Sequence, residues 1–143
     1  MTIAVDFDGT IVEHRYPAIG EEIPFAIETL KMLIRDRHKL ILWSVREGEL
    51  LDQAVAWCRE RGVEFYAVNR DYPEEEPEKN NHFSRKLKAD LFIDDRNIGG
   101  LPDWGEIYHM VTARLTYKQL LHDALRAQNP SDRAQNKKRW WPF

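Results

Sequence analysis

The chain begins Met1-Thr-Ile-Ala-Val-Asp6-Phe-Asp8-Gly9-Thr10, and this stretch decides the fold. Ile3, Ala4 and Val5 make a short, largely β-branched apolar run that leads straight into two carboxylates spaced by one residue; Gly9 and Thr10 then break the run. An apolar run bounded by a turn signal predicts a strand buried on both faces, as in parallel sheets. Asp6 and Asp8 then emerge at its carboxyl end, where open α/β sheets place their ligands. Two carboxylates that close repel each other unless a cation or a shared proton intervenes, and a divalent metal is the economical answer.

The pattern recurs downstream. After a loop or short hairpin over Ile11 to Glu22, with His14, Arg15 and Tyr16 near its middle, Pro24 suits the first turn of a helix. Ala26, Ile27, Leu30, Leu33 and Ile34 follow at helical spacing. Lys39-Leu-Ile-Leu-Trp-Ser44 predicts a second buried strand, Gly48 to Arg61 a helix closed by Gly62, and Glu64 to Asn69 a third strand. Asp71 to Ser84 is acidic and proline-containing, and is expected to be a mobile surface loop with Glu74, Glu75 and Glu76 solvated. Ala89-Asp-Leu-Phe-Ile-Asp94-Asp95 predicts a fourth strand, again ending in paired acids. Asp103 with Glu106, and Thr116 with Gln119, have capping-box spacing and predict two more helices. Strands alternating with helices imply a Rossmann-like, doubly wound α/β fold, its sheet mainly parallel with right-handed crossovers and helices on both faces.

Composition agrees with one such unit. The chain has 143 residues, 43% hydrophobic and 31% charged, with a formal net charge of -3, so it carries no global signal for nucleic acid or membrane. The expected organisation is a single α/β domain over residues 1–128 and a flexible tail over 129–143. That tail joins Lys137, Lys138 and Arg139 to Trp140 and Trp141, a mixture that binds nucleic acid, membrane or protein partners in some chains and is an ordinary chain end in others. One cysteine, Cys58, excludes an internal disulfide and fits a reducing cytoplasm; on an apolar helix face it reads as a core residue. No run approaches the roughly 18 apolar residues of a membrane span, and no basic segment precedes the first apolar run as in a signal peptide.

Parallel strands all end on one side of their sheet, so Asp6, Asp8, Ser44, Asp94 and Asp95 should converge on one crevice, with Lys86 and Lys88 just ahead of the fourth strand. Carboxylates on two strand ends can hold one hard cation through oxygen, as Mg²⁺ requires. A hydroxyl and an ammonium beside them suit the peripheral oxygens of a phosphate. A carboxylate not fully committed to the metal can attack phosphorus, and the whole describes phosphoryl transfer through an aspartyl-phosphate. Arg46, Glu47, His14 and Arg15 flank the crevice and read equally as substrate contacts or surface charge.

With these residues the chain resembles the haloacid dehalogenase (HAD) superfamily, specifically its small phosphatases, over roughly residues 1 to 100. DFDGT at Asp6 to Thr10 matches the first motif, Leu42-Trp43-Ser44 the second, Lys86 the third and Ile93-Asp94-Asp95 the fourth. The resemblance implies that Asp6 is the nucleophile and Asp8 the general acid and base, with the Asp8 backbone carbonyl also a ligand of Mg²⁺. It implies that Ser44 bonds the transferring phosphoryl group, with Gly9, Val45 and Arg46 beside it in substrate binding. Lys86, preferred over Lys88, would steady Asp6; Asp95 would be a metal ligand, with Asp94 sharing that role or supporting it. An acid at Asp8 suits phosphate esters, since a halide leaving group needs no proton.

Neither interval between motifs has room for a folded cap domain. A capless site is open, so either the substrate is large or a second copy of the chain covers it. The expectation is therefore a cytoplasmic, Mg²⁺-dependent phosphatase acting on a phosphorylated substrate that no motif identifies. The alternatives are a phosphotransferase or phosphomutase using the same residues, and a non-catalytic, phosphate-responsive binding module. Receiver modules place their phosphoacceptor aspartate at the end of the third strand, where this chain has Asn69.

Overall fold

A computed structural model describes residues 1–79 and 84–128. In chain order the elements are β1 (Thr2–Val5), α1 (Ala26–Arg35), β2 (Lys39–Leu42), α2 (Gly48–Glu60), β3 (Ala67–Val68), a 3-10 turn (Pro77–Lys79), β4 (Leu91–Ile93), α3 (Trp104–Ala113) and α4 (Tyr117–Gln128). The four strands form one sheet in the order β3-β2-β1-β4, with every pair parallel. This is the Rossmann-like α/β class. Residues 129–143, expected as a tail, lie outside the described residues.

Strand order explains where a site can form. The β1-to-β2 and β2-to-β3 crossovers step in one direction, so right-handed connections put α1 and α2 on one face of the sheet. The β3-to-β4 connection steps back past both strands and crosses the other face. Between β1 and β4 the order therefore reverses, opening a crevice at their carboxyl ends. On the face crossed by the return connection, Ala4, Ile41 and Ala67 form one registered row, with Leu87 packed on it and Phe92 beside it. Ile3, Val5, Leu40 and Leu42 alternate to the opposite face and are wholly buried, as are Leu30 and Leu33 of α1. Each such side chain contributes roughly 1.5–3 kcal/mol of burial.

Local chemistry sets the element ends. α1 begins two residues beyond Pro24; no side chain caps it at Phe25, and the Glu22 carboxylate instead accepts from the Ile27 amide at 3.0 Å. α2 stops where Gly62 turns left-handed (φ 87), which lets the Val63 amide reach the Cys58 carbonyl at 3.0 Å. Cys58 is buried in the core as expected, and burial pushes its thiol up to about 12, which keeps it inert. β3 is shorter than the predicted Glu64–Asn69 because the left-handed Asn69 (φ 53) ends its ladder.

The acidic connection is more ordered than expected. Glu75 is buried, and its carboxylate accepts from the Asp71 amide at 2.7 Å while Asp71 in turn accepts from the Lys88 amide at 2.7 Å. The expectation of a fully solvated glutamate run fails at this one residue, which folds the loop onto itself.

By contact density the chain divides into two compact units, Met1–Gly105 and Glu106–Phe143. The second holds most of α3 and all of α4. α3 ends on left-handed Arg114, with the Leu115 amide on the Met110 carbonyl at 2.8 Å. The predicted capping box opens α4: the Gln119 amide donates to the Thr116 hydroxyl at 3.3 Å, and the Thr116 amide to the Gln119 side chain at 2.7 Å. Among the described residues no helix is long and apolar enough to cross a membrane.

Candidate active site

Asp6 stands where β1 runs out. Its amide still donates to the Ile93 carbonyl of β4 at 3.0 Å, so the two strand ends are tied together at the crevice. The next residues close a tight turn in which the Phe7 carbonyl accepts from Thr10, Ile11 and Val12 at 3.2, 2.9 and 3.2 Å. Gly9 is left-handed (φ 84), and a Cβ there would stand 2.4 Å from an Asp95 carboxylate oxygen. Only glycine lets the first motif approach the fourth so closely. Its amide is taken by the Val12 carbonyl at 2.7 Å, so Gly9 shapes the site rather than donating to substrate, as the sequence led us to expect.

Three carboxylates meet here. Asp6, Asp94 and Asp95 each offer an oxygen within 4.8 Å of the others, a grouping that could hold a metal ion. Thr10 links two of them. Its hydroxyl accepts from the Asp95 amide at 3.1 Å, and its single proton has two acceptors, Asp6 Oδ2 and Asp95 Oδ1, each at 3.3 Å. Behind the turn, the buried Trp104 indole donates to the Thr10 carbonyl at 3.0 Å. Burial first, then the charges of Asp94 and Asp95, push the Asp6 carboxyl up to about 7.

Asp8 lies outside that trio and has a different partner. Arg46 grips it with both prongs, Nε to Oδ2 at 2.7 Å and Nη2 to Oδ1 at 2.8 Å. The same guanidinium donates to the carbonyls of Pro17, Ala18 and Leu50 at 3.1, 2.9 and 3.4 Å, which engages all five of its N–H groups. Its carbon lies 5.2 Å from the Phe7 ring centre and 5.3 Å from that of Tyr16, between the two rings. Arg46 is 0% exposed, and its hydrogen bonds to Asp8 hold its charge more firmly than in water. The sequence placed Arg46 among the substrate contacts; the structure makes it the buried fastener between Asp8 and the hairpin that carries Tyr16. That hairpin is pinned at its base by Glu13 on Glu21 at 2.8 Å and Ile23 on Ile11 at 2.9 Å.

Ser44 ends β2 and is aimed by Asn69, whose amide side chain accepts from the Ser44 N–H at 2.8 Å and donates to the Ser44 carbonyl at 2.9 Å. The Ser44 hydroxyl accepts from the Arg46 amide at 3.1 Å, which leaves its proton to donate into the crevice. The crevice is a cleft of about 410 Å³ lined by Asp6, Asp8, Ser44, Val45 and Asp94, together with His14, Tyr16, Trp43 and Arg96. Lys86 does not line it; its ammonium sits 5.6 Å from the Phe92 ring centre. Thr10, Asn69 and Arg96 escaped the sequence reading. Thr10 stood in the quoted motif and Asn69 at a strand end, but their partners are distant in sequence.

No protein-family model matches the chain. Among solved structures it is similar to a conserved protein from Bacteroides thetaiotaomicron, with 70% identity over 84% of this chain and 96% of that one and a TM-score of 0.78. The two chains belong to one family. A curated relative from Bacillus cereus, provisionally named a nucleotidase, is 26% identical over 87 residues. That match takes in 61% of this chain and 46% of the relative, so the aligned stretch spans about half the relative's length.

Proposed function

We propose that the protein is a Mg²⁺-dependent phosphomonoester hydrolase of the HAD type that works through an aspartyl-phosphate on Asp6. The observation that carries this reading is the acidic trio of Asp6, Asp94 and Asp95 at the reversal of strand order, with Ser44 on the same cleft. Its donor set is all hard oxygen, and the upward push on Asp6 marks a crowding of negative charge that a divalent cation relieves. Asp6, Asp94, Asp95 and the Asp8 backbone carbonyl would hold Mg²⁺. When bound, it neutralises charge on the phosphoryl oxygens and so lets an anionic nucleophile approach. The name of the Bacillus cereus relative points to phosphate esters as well.

In this mechanism an Asp6 oxygen attacks phosphorus and the bond from phosphorus to the ester oxygen breaks. The departing alkoxide takes a proton from Asp8, which later takes one from the water that hydrolyses the acyl phosphate. Both Asp8 oxygens accept from Arg46 in this structure, so carrying a proton requires Arg46 to release one prong. The Ser44 hydroxyl donates to a non-bridging oxygen. Lys86, in the role the resemblance assigns, has to turn from Phe92 toward Asp6.

The test is turnover of an aryl phosphate with Mg²⁺ and with EDTA, beside Asp6→Asn. Loss of activity in EDTA and in the variant supports the reading, as does an acid-stable phosphoprotein trapped from wild type alone. A folded wild type that releases phosphate from no ester in a broad panel sinks it. Alcohol acceptors added to the assay separate a transferase from a hydrolase.

A further inference from the structure

The cleft is far larger than a phosphoryl group, and the wall beyond Ser44 is mostly carbon. Tyr16 is 48% exposed and Val45 79% exposed, and both line the cleft with Trp43. Tyr16 is no loose surface ring. One of its sides faces the buried Arg46 guanidinium at 5.3 Å, and Arg46 also holds the carbonyls of Pro17 and Ala18, the two residues that follow it. Phe7 backs the guanidinium from the far side at 5.2 Å. The ring is therefore positioned before any ligand arrives, so little freedom is lost on binding.

An aromatic ring fixed on one side and open on the other is a stacking platform, and every nucleobase offers a face to it. A hydroxyl-rich alcohol gains nothing there, because its hydroxyls would leave water for carbon. We propose that Tyr16, flanked by Val45 and Trp43, forms a ring-binding subsite that selects phosphomonoesters whose leaving alcohol carries a flat aromatic ring, nucleoside monophosphates above all. This rests on the phosphomonoesterase reading and adds to it the part of the substrate that is not phosphate.

The test compares AMP with ribose 5-phosphate, which share the phosphorylated ribose and differ in the base. Wild type should show at least a tenfold higher kcat/KM for AMP. Tyr16→Phe should keep that ratio and Tyr16→Ala should bring it toward one. Equal turnover of the two by wild type overturns the subsite and leaves the hydrolase reading intact. Equal loss in Tyr16→Phe and Tyr16→Ala also overturns it, since a hydroxyl contact would then be responsible. If neither ester is hydrolysed, the hydrolase reading fails, and calorimetry on Asp6→Asn with Mg²⁺ decides the subsite separately. AMP bound at least tenfold tighter than ribose 5-phosphate, with the margin lost in Tyr16→Ala, supports it; equal affinities or no binding overturn it.

Discussion

Replacing Arg46 by methionine tests how much of the site's order depends on one buried guanidinium. The substitution keeps length and apolar volume but removes both contacts to Asp8 and the three to the carbonyls of Pro17, Ala18 and Leu50. Arg46 is 0% and Asp8 7% exposed, so the abandoned carboxylate is not rescued by bulk water. Breaking a buried pair from one side costs about 3–5 kcal/mol. Pro17 and Ala18 are exposed, and their carbonyls regain water, so they add little. The expected loss is therefore about 4 kcal/mol, a large share of the roughly 5–15 kcal/mol that holds a domain folded. Urea unfolding of wild type, Arg46→Met, Asp8→Asn and the double variant closes a cycle. Because the two residues are in contact, the double variant should be less destabilised than the sum of the singles by about 2 kcal/mol or more. Arg46→Lys should recover only part of the loss, since an ammonium lacks the planar fork. A cost below about 1 kcal/mol for Arg46→Met, or singles that simply add, would refute the reasoning.

Asp6 makes stability depend on pH in an unusual direction when no metal is present. Its folded value lies near 7 against an ordinary 3.8, so between those values the folded state holds the extra proton and stability falls as pH rises. In EDTA, wild type should lose melting temperature from pH 4 to 7 relative to Asp6→Asn, and Mg²⁺ should reverse the trend; a difference curve that rises over this window contradicts the assignment. Gly9→Ala forces a left-handed Cβ to 2.4 Å from Asp95, and should weaken Mg²⁺ binding at least tenfold by calorimetry and cost roughly 1–3 kcal/mol of stability. Asn69→Gly keeps the left-handed backbone but frees Ser44; kcat should drop severalfold with the melting temperature little changed, and an unchanged kcat would show that the clamp does not aim the serine.

The frame of this molecule was legible because its signals are local. Ile3 to Val5 and Leu40 to Leu42 are short apolar runs, and the pairs Asp6/Asp8 and Asp94/Asp95 mark the ends of β1 and β4. Two such ends beside each other in a parallel sheet need no further information to meet. What stayed hidden were pairings across long separations. Arg46 looks like any charged residue until the fold sets it against Asp8, 38 positions away, and Asn69 gives no sign of its bonds to Ser44, 25 positions away. Glu75 reads as the centre of a solvated acidic run because its partner is a backbone amide, which sequence patterns do not display. Lys86 illustrates a different limit: order along the chain marks it as the motif lysine, yet in this structure its side chain rests on Phe92.

Trp104 gives the molecule an optical handle on its own chemistry. It is 1% exposed, whereas Trp43 and Trp57 are partly open to solvent, and its indole proton sits on the carbonyl of the threonine that joins Asp6 to Asp95. Any event that redistributes charge among those carboxylates alters the field at that carbonyl and so at the indole. With Trp104 as the sole remaining tryptophan, emission wavelength and lifetime would report cation arrival and acyl-phosphate turnover in real time, with no added label.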